Sequence, residues 1–408
     1  MSERDGGTAV GEPPASAGGE RLRVLVVPKW YPWPELPVLG AFCREHAHAL
    51  ATRHDVVVLA SLATRRPGFA AFRLEDSVEE GVRTLRVRYR RPLLRPAAMG
   101  FQLIGMLAAL RRLRRDGWSP DVVHVHMFEA APPALALARL SRARVAITEH
   151  YTGFARGLVT GYDRSLARLS FERADVVAPV SGELAGHLRA LAPRARIEVV
   201  PNVVDTAVFE PPVARPAGRR LLNVAALAEK KGQRYLLEAL TEVPGATLDV
   251  VGDGELRGAL ERRAGELGLD GRVRFLGERS KPEVAELMRA ADLFVLPSLA
   301  ENLPVVLIEA QASGLPAVAT RVGGVPELVD DDAGTLVDPA DAAALAEAIR
   351  ATLDRLAAFD PGALAARAHA RYGYDAICAR WSEIYARLGS SRAGTTHSAT
   401  TSRSAASE

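Results

Sequence analysis

Short runs of aliphatic and β-branched residues alternate with longer helical stretches over most of the chain. A first series of such runs predicts strands at residues 22–27, 55–59, 83–89, 122–125, 144–148, 176–180 and 197–200. A second series predicts strands at residues 221–225, 247–251, 273–276, 292–296 and 317–320. Nearly continuous apolar strands separated by helices are typical of parallel sheets covered on both faces. The pattern therefore predicts an α/β protein with two doubly wound, Rossmann-like units.

The chain of 408 residues is long for one hydrophobic core, and a proline-rich break near residue 210 separates the two series. We predict a first domain at residues 21–209, a second at residues 210–375, and a helix at residues 376–388 that returns towards the first domain. Residues 1–20 and 389–408 lack hydrophobic periodicity and are predicted to be disordered tails.

The most informative stretch, residues 297–314, joins a predicted strand to a predicted helix at 305–312 and carries two glutamates, Glu301 and Glu309. Ligands of open α/β sheets bind at such strand-to-helix turns, where the helix N-terminus favours anions. Pro304 suits the first helical turn. A buried Glu309 would cost several kcal/mol without a partner, which sugar hydroxyls would supply. From these residues alone, a capping glutamate and an internally bonded one remain an equal alternative.

The spacing of Glu301 and Glu309 resembles the E-x7-E motif of retaining glycosyltransferases with the GT-B fold, family 4 in particular. Further segments follow that family's order over roughly residues 22 to 388. They are 121–126, 148–150, 180–181, 200–205 with Phe209, 230–232, 251–254 and 323–327. The resemblance implies a GT-B fold, with two Rossmann-like domains facing a central cleft.

The resemblance also implies roles for individual residues. Glu309 is expected to hold the nucleotide ribose, Glu301 the hydroxyls of the transferred sugar, and Lys231 the diphosphate. His126, at the end of a predicted strand, is expected near the reacting carbon, although a histidine satisfied within the core is the alternative. Without the resemblance, Lys231 would be interpreted as a surface lysine.

Weaker candidates complete the expected site. Asn302, Leu303 and Pro304 form the core of the motif and are expected to line the donor. Gly40 is expected where a glycine loop opens a helix, because a missing Cβ lets backbone N–H groups approach a phosphate; a simple turn residue is the alternative. His150 is a candidate for the acceptor side.

Two departures from the family pattern affect the donor. The usual Gly-Arg-Leu is replaced by residues 225–227, which puts Ala226 where an arginine would contact the diphosphate and leaves that charge to Lys231. The motif core reads Glu-Asn-Leu-Pro instead of the commoner Glu-Gly-Phe, a second difference that bears on donor preference.

We predict no metal and no cofactor. The acidic run at residues 330–332 lies in a turn context typical of solvated loop acids. The pair His124 and His126 is expected to point to opposite faces of its strand and so not to share an ion. Lys231 and helix N-termini would then neutralise the leaving diphosphate.

Composition sets further limits, since 48% hydrophobic and 25% charged residues are typical of a soluble globular protein. Cys43 and Cys378, far apart in sequence, are expected to form neither a disulfide framework nor a metal cluster. The first twenty residues lack the apolar core of a signal peptide, and a cytoplasmic enzyme is expected. The apolar run at 97–110 is too short for a bilayer. Residues 83–115 hold ten arginines and no acidic residue, and an arginine-rich solvated surface is the simpler interpretation. A peripheral contact of this segment with an anionic membrane, or with a phosphorylated acceptor, is the alternative.

The resemblance to family 4 implies a retaining, metal-independent hexosyltransferase that moves a sugar from a UDP- or GDP-linked donor to a hydroxyl acceptor. The acceptor is expected to be a lipid-linked glycan or lipid of cell-envelope or exopolysaccharide synthesis, or a small alcohol. A glycogen- or sucrose-type synthase is disfavoured, because residues 28–31 lack the Lys-x-Gly-Gly loop. A non-catalytic subunit of a glycosylation complex is the rival from another class. No nucleic-acid partner is expected.

Overall fold

A computed structural model describes residues 21–64, 71–91, 95–213 and 218–397. The predicted tail at residues 1–20, part of the predicted linker, and residues 398–408 lie outside the described part of the chain.

The first sheet has seven strands in the order β3-β4-β2-β1-β5-β6-β7, all parallel to their neighbours except β3. Its strands are β1 Arg23–Pro28, β2 Asp55–Thr64, β3 Phe72–Glu79, β4 Val82–Arg90, β5 Val122–His126, β6 Arg144–Glu149 and β7 Val176–Pro179. Pro28, His126 and Thr148 are in register, so the carboxyl ends of β1, β5 and β6 meet at one edge.

The second sheet has six parallel strands in the order β10-β9-β8-β11-β12-β13. They are β8 Arg220–Val224, β9 Thr247–Val251, β10 Val273–Gly277, β11 Leu293–Leu296, β12 Ala317–Thr320 and β13 Gly334–Val337. In both sheets the order reverses beside the first strand of the unit, which is the point where ligands bind in doubly wound folds.

Helices connect the strands of both sheets. They are α1 Ala41–Ala51, α2 Arg95–Arg115, α3 Ala131–Ser141, α4 Gly161–Arg173, α5 Gly182–Leu191, α6 Gln233–Thr241, α7 Arg257–Glu266, α8 Lys281–Ala290, α9 Val305–Ala312, α10 Ala342–Asp354, α11 Pro361–Tyr372 and α12 Tyr374–His397. The predicted class, doubly wound α/β with two sheets, is confirmed.

The last helix, α12, packs on the first sheet although it follows the second in sequence. Trp381 and Tyr385 are almost fully buried in one cluster with Val24 and Val26 of β1. The backbone of α12 continues to His397, so a disordered tail from residue 389 is the wrong description of residues 389–397.

Three strand assignments need correction. β3 was missed, because its polar, half-exposed sequence lacks a clear apolar alternation. β13 was missed as well. The predicted strand at 197–200 is absent from the described structure, where Ile197 makes only an isolated bridge to Val177.

Candidate active site

Lys231 and Glu301 contact each other directly at the carboxyl edge of the second sheet. Lys231 Nζ lies 2.6 Å from Glu301 Oε1, and the Ser298 hydroxyl donates to the same oxygen at 2.7 Å. The side chains are only 16% and 7% exposed. Two residues that the sequence assigned to the diphosphate and to the sugar are therefore neighbours, and their charges offset each other.

Glycine allows this approach. Gly232 has φ of 66°, and a Cβ there would lie 2.1 Å from the Pro297 carbonyl oxygen. The Leu299 N–H also donates to the Lys230 carbonyl at 2.8 Å. Only a residue without a side chain lets the turn before α6 lie against the loop after β11. Gly232 therefore fixes the position of the Lys231 backbone.

Two further glycines support the Glu301 loop from behind. A Cβ at Gly323 would lie 2.0 Å from the Glu301 carbonyl oxygen, and one at Gly324 would lie 2.5 Å from that of Asn302. The Gly324 N–H donates to the same Asn302 oxygen at 2.6 Å. The Gly-Gly pair found in the sequence therefore holds the motif loop in place.

Buried histidines occupy the facing edge of the first sheet. His126 ends β5, and its Nδ1 lies 3.0 Å from Nε2 of His150, which directly follows β6. His126 is completely buried, and its Nε2 has no hydrogen-bond partner among the described residues. Burial lowers the pKa values of His126 and His150 well below the usual value of an imidazole, and neighbouring histidines lower them further. Both rings are therefore neutral at pH 7.

The expectation that His124 and His126 point to opposite faces is wrong. Residues two apart in a strand share a face, and the two rings stack with centroids 4.8 Å apart. His124 still has no free nitrogen, because its Nδ1 bonds the Tyr385 hydroxyl and its Nε2 the Thr148 hydroxyl.

Glu149 anchors the loop that carries His150. Its carboxylate accepts three backbone N–H groups, from Phe128, His150 and Tyr151, at 2.8 to 3.0 Å. Complete burial raises the pKa of Glu149 to about 7, against the lowering effect of these three bonds. In the sequence Glu149 is recognisable only as part of a motif, because its three bonding partners come together only when the chain folds.

Hydrogen bonds join the two domains across the site. Asn302 Nδ2 donates to the His150 carbonyl at 2.6 Å, and Asn202 Nδ2 donates to the Leu303 carbonyl at 2.7 Å. Glu327 of the second domain accepts the first N–H groups of α5 in the first, at 2.8 to 3.2 Å. The histidine edge and the Lys231–Glu301 edge consequently face one cleft.

Gly40 precedes α1 with φ of 70°, and a Cβ there would lie 2.3 Å from the Trp30 carbonyl. This close packing explains the glycine without a bound phosphate, which is the simpler alternative left open by the sequence. Pro304 is the N-cap of α9, one position before the first helical residue.

Glu309 lies in α9 apart from the Lys231–Glu301 pair. Its side chain makes no hydrogen bond within the described residues, and its charged neighbours are Glu45 of α1 and Lys281 of α8. Enclosure by protein raises its pKa to about 8, with repulsion from Glu45 adding to the effect and Lys281 opposing it. Glu45 is itself held by Lys281 Nζ at 2.9 Å and by the Tyr374 hydroxyl.

Sequence reasoning missed two cations near the pair. Lys230 is half-buried and makes no side-chain hydrogen bond or ion pair within the described residues. Burial lowers its pKa, and the charges of Lys231 and Arg156 lower it further. Arg156 comes from the loop after β6 in the first domain. The signal available in the sequence was the doubled lysine beside the missing arginine at Ala226.

The remaining charged segments are largely paired. Asp330 receives two bonds of 2.9 Å from Arg367. In the arginine-rich segment, Arg83 and Arg112 each form ion pairs with both Asp76 and Asp116. Arg86 pairs with a carboxylate of β3, and Arg88 pairs with one in the loop after β1. Across the part of the chain that the structure covers, no helix combines the length and apolarity needed to span a bilayer.

Comparison with protein families gives two adjoining matches. Residues 39–208 match the model described as "Glycosyltransferase Family 4", and residues 218–355 match the one described as "Glycosyl transferases group 1". A glycogen synthase of Mycobacterium tuberculosis is 30% identical over 87% of this chain and 91% of its own length. The colanic acid glycosyltransferase WcaL of Escherichia coli, whose assignment is putative, is 34% identical over 59% of this chain and 61% of its own.

Solved structures show the same fold. Sucrose-phosphate synthase from Thermosynechococcus elongatus superposes with a TM-score of 0.72 at 21% identity, over 91% of this chain and all of that one. The Anabaena protein Alr3699/HepE with UDP-glucose gives a TM-score of 0.69 at 20% identity, over 91% of this chain and all of that one.

Proposed function

Since this chain belongs to the group 1 glycosyltransferases of family 4, has the GT-B fold and uses nucleotide sugars, we propose that it transfers a hexose from a nucleotide-diphosphate donor with retention of configuration. The observation that carries the proposal is the enclosed Lys231–Glu301 pair, held against the histidine edge of the other domain by Asn302. Such a cleft offers a cation, a hydrogen-bond acceptor and neutral imidazoles within one enclosure.

The diphosphate of the donor competes with Glu301 for Lys231. When it binds, Lys231 neutralises the leaving group, and Glu301 becomes free to accept hydrogen bonds from the sugar hydroxyls. A preorganised charge of this kind typically contributes a factor of about 10²–10³ in rate. Lys230 and Arg156 would supply the positive charge that is missing at Ala226. Lys230 directly precedes Lys231 in a short 3-10 helix, and the charge of Arg156 acts on Lys230.

His126 would contact the transferred sugar near its anomeric carbon, because it ends β5 at the edge facing the second domain and its buried Nε2 has no hydrogen-bond partner among the described residues. Glu309 would hold the ribose, with Asn302, Leu303, Pro304 and the Gly40 turn lining the donor. These assignments follow the motif, and the hydrogen bonds that tie Asn302 and Leu303 to the first domain support those two.

In the proposed transfer, the bond from the anomeric carbon to the diphosphate oxygen breaks while the acceptor oxygen bonds to the same face. The acceptor's proton passes to the departing diphosphate oxygen, so no protein nucleophile and no metal is required. The reaction class is EC 2.4. We expect a cytoplasmic enzyme whose acceptor is a glycan or lipid of the cell envelope; a small alcohol remains the alternative.

One observation favours a second acceptor class. The glycogen synthase relative matches 91% of its own length, which makes an α-glucan chain a candidate acceptor despite the missing Lys-x-Gly-Gly loop.

Nuclear magnetic resonance of the product formed from a UDP-, GDP- or ADP-hexose tests the proposal. We expect a product with the donor's anomeric configuration, formed equally well after treatment with EDTA. An inverted product would disprove retention, and activity lost to EDTA and restored by Mg²⁺ would disprove metal independence.

A further inference from the structure

Three potential metal ligands converge beneath the cleft. The Sγ of Cys43 and one ring nitrogen each of His126 and His150 lie within 4.8 Å of one another. Cys43 and His126 are completely buried, and His150 is partly buried at the cleft. They come from three separate elements, α1, β5 and the loop after β6, so the fold and not sequence proximity brings them together.

We propose that these three side chains bind Zn²⁺, and that the bound ion blocks sugar transfer. Thiolate and imidazole are the ligands that zinc prefers, and three protein ligands with a fourth position open is a common arrangement at clefts. The binding claim is independent of the proposed function, whereas the inhibition rests on it, because His126 is the residue assigned to the transferred sugar.

The separations of the three ligand atoms are close to those of a tetrahedral zinc site. Zinc–nitrogen bonds of ~2.0–2.1 Å place two tetrahedral ligand nitrogens about 3.4 Å apart. His126 Nδ1 and His150 Nε2 are 3.0 Å apart, and the thiol, within 4.8 Å of both nitrogens, would move inward by at most roughly 1 Å to complete the set. Both imidazoles are neutral, as metal ligands must be.

Proton balance follows from the hydrogen bond between the rings. One proton lies between His126 Nδ1 and His150 Nε2, and it must move to the other nitrogen of its own ring. On His126 that other nitrogen is Nε2, which has no hydrogen-bond partner among the described residues and can carry the proton. Burial raises the pKa of the Cys43 thiol well above its usual range, so the thiol loses its proton only when the ion binds, and each Zn²⁺ bound releases one proton to solvent.

Co²⁺ is a direct spectroscopic probe of this site in the purified full-length chain. We expect the visible bands of four-coordinate cobalt and a near-ultraviolet thiolate-to-cobalt band, both removed by added Zn²⁺. Cys43→Ser should lose the thiolate band, while Cys378→Ser should keep it, because Cys378 is the other buried cysteine and contacts Leu50 and Ser382 instead. His150→Gln should lose the four-coordinate spectrum, and circular dichroism confirms that each variant is folded.

Inhibition is measured separately. Zn²⁺ should suppress transfer by the parent and EDTA should restore it. For Cys43→Ser, compared with its own zinc-free rate, the half-inhibitory concentration should rise by about 100-fold or more, since even outer ligands contribute 10–100-fold to affinity. A parent without a thiolate band, or a Cys43→Ser variant with an unchanged one, would overturn the proposal. A normal cobalt spectrum without any transfer activity would instead count against the proposed function.

Discussion

Lys231 Nζ lies 2.6 Å from Glu301 Oε1, so the cation assigned to the diphosphate is bonded to the carboxylate assigned to the sugar. Both side chains are largely withdrawn from water. Breaking such a pair by removing one partner leaves the other charge without compensation. The effects of Lys231 on stability and on catalysis can therefore be separated by changing its partner.

Lys231→Ala should reduce turnover by ~10²–10³-fold, because one preorganised charge is lost. It should also lower the free energy of unfolding by roughly 3 kcal/mol, since Glu301 is left buried and unpaired. Denaturant unfolding and steady-state kinetics measure the two effects. Adding Glu301→Gln should restore most of the stability and none of the turnover. Activity within a few-fold of the parent would mean that another group holds the diphosphate.

Lys230→Ala should weaken nucleoside-diphosphate binding by about 10- to 100-fold, the value of one charge-assisted hydrogen bond. Arg156→Ala should act in the same direction and more weakly, because its side chain is exposed. Calorimetry measures both. Arg234→Ala is a matched control, because Arg234 pairs with Glu229 and Tyr235 away from the Lys231–Glu301 pair. Equal affinities for parent and Lys230→Ala would remove Lys230 from the donor site.

The raised pKa of Glu309 predicts pH dependence with a definite sign. The carboxyl has a pKa of about 8 in the folded chain and 4.5 in an ordinary environment. The unfolded chain therefore loses the proton first, and the stability contributed by protonated Glu309 declines as pH rises from 4.5 through 8. Glu309→Gln should melt at a higher temperature than the parent at pH 9, with the difference vanishing near pH 4.5. Parallel melting curves across this range would contradict the shift.

Ribose binding by Glu309 predicts proton release. If the ribose hydroxyls bond an ionised carboxylate, nucleoside-diphosphate binding at pH 7 should release a proton from the parent and none from Glu309→Gln. Calorimetry in buffers of different ionisation enthalpy measures this release. The variant should also bind less tightly at pH 9, where a charge-assisted hydrogen bond worth ~1.5–3 kcal/mol becomes a neutral one. Equal affinity there would remove Glu309 from the ribose site.

Several arginines of residues 83–115 are paired with carboxylates, so membrane contact through this segment would involve exposed residues that are not. Ile104, Arg111 and Arg115 lie on one face of α2 and are exposed, and the two arginines have no ion pair within the described residues. Arg111→Gln with Arg115→Gln should weaken salt-sensitive sedimentation with acidic liposomes by roughly 1 kcal/mol per residue. Arg112→Gln is the control, because Asp76 and Asp116 already pair with Arg112. Identical sedimentation of all variants would leave an ordinary solvated surface.

The apolar strands and ordered motifs were sufficient to predict the family and the GT-B fold, both of which are confirmed. β3 escaped because its side chains are polar and half-exposed, and its acidic residues neutralise the arginines that suggested a membrane surface. The error over His124 and His126 was one of strand geometry. Lys230 and Arg156 approach the site from different domains, so no local sequence pattern could place them together.

A thermal-shift screen of nucleotide sugars tests the central claim most directly, because a ligand that binds only the folded state raises its stability by mass action. We predict that at least one UDP-, GDP- or ADP-hexose raises the melting temperature of the parent, and that the Lys231→Ala, Glu301→Gln double variant, which is expected to be folded, loses the shift. If no nucleotide sugar or nucleoside diphosphate stabilises the parent, the enclosed Lys231–Glu301 pair is not a donor site.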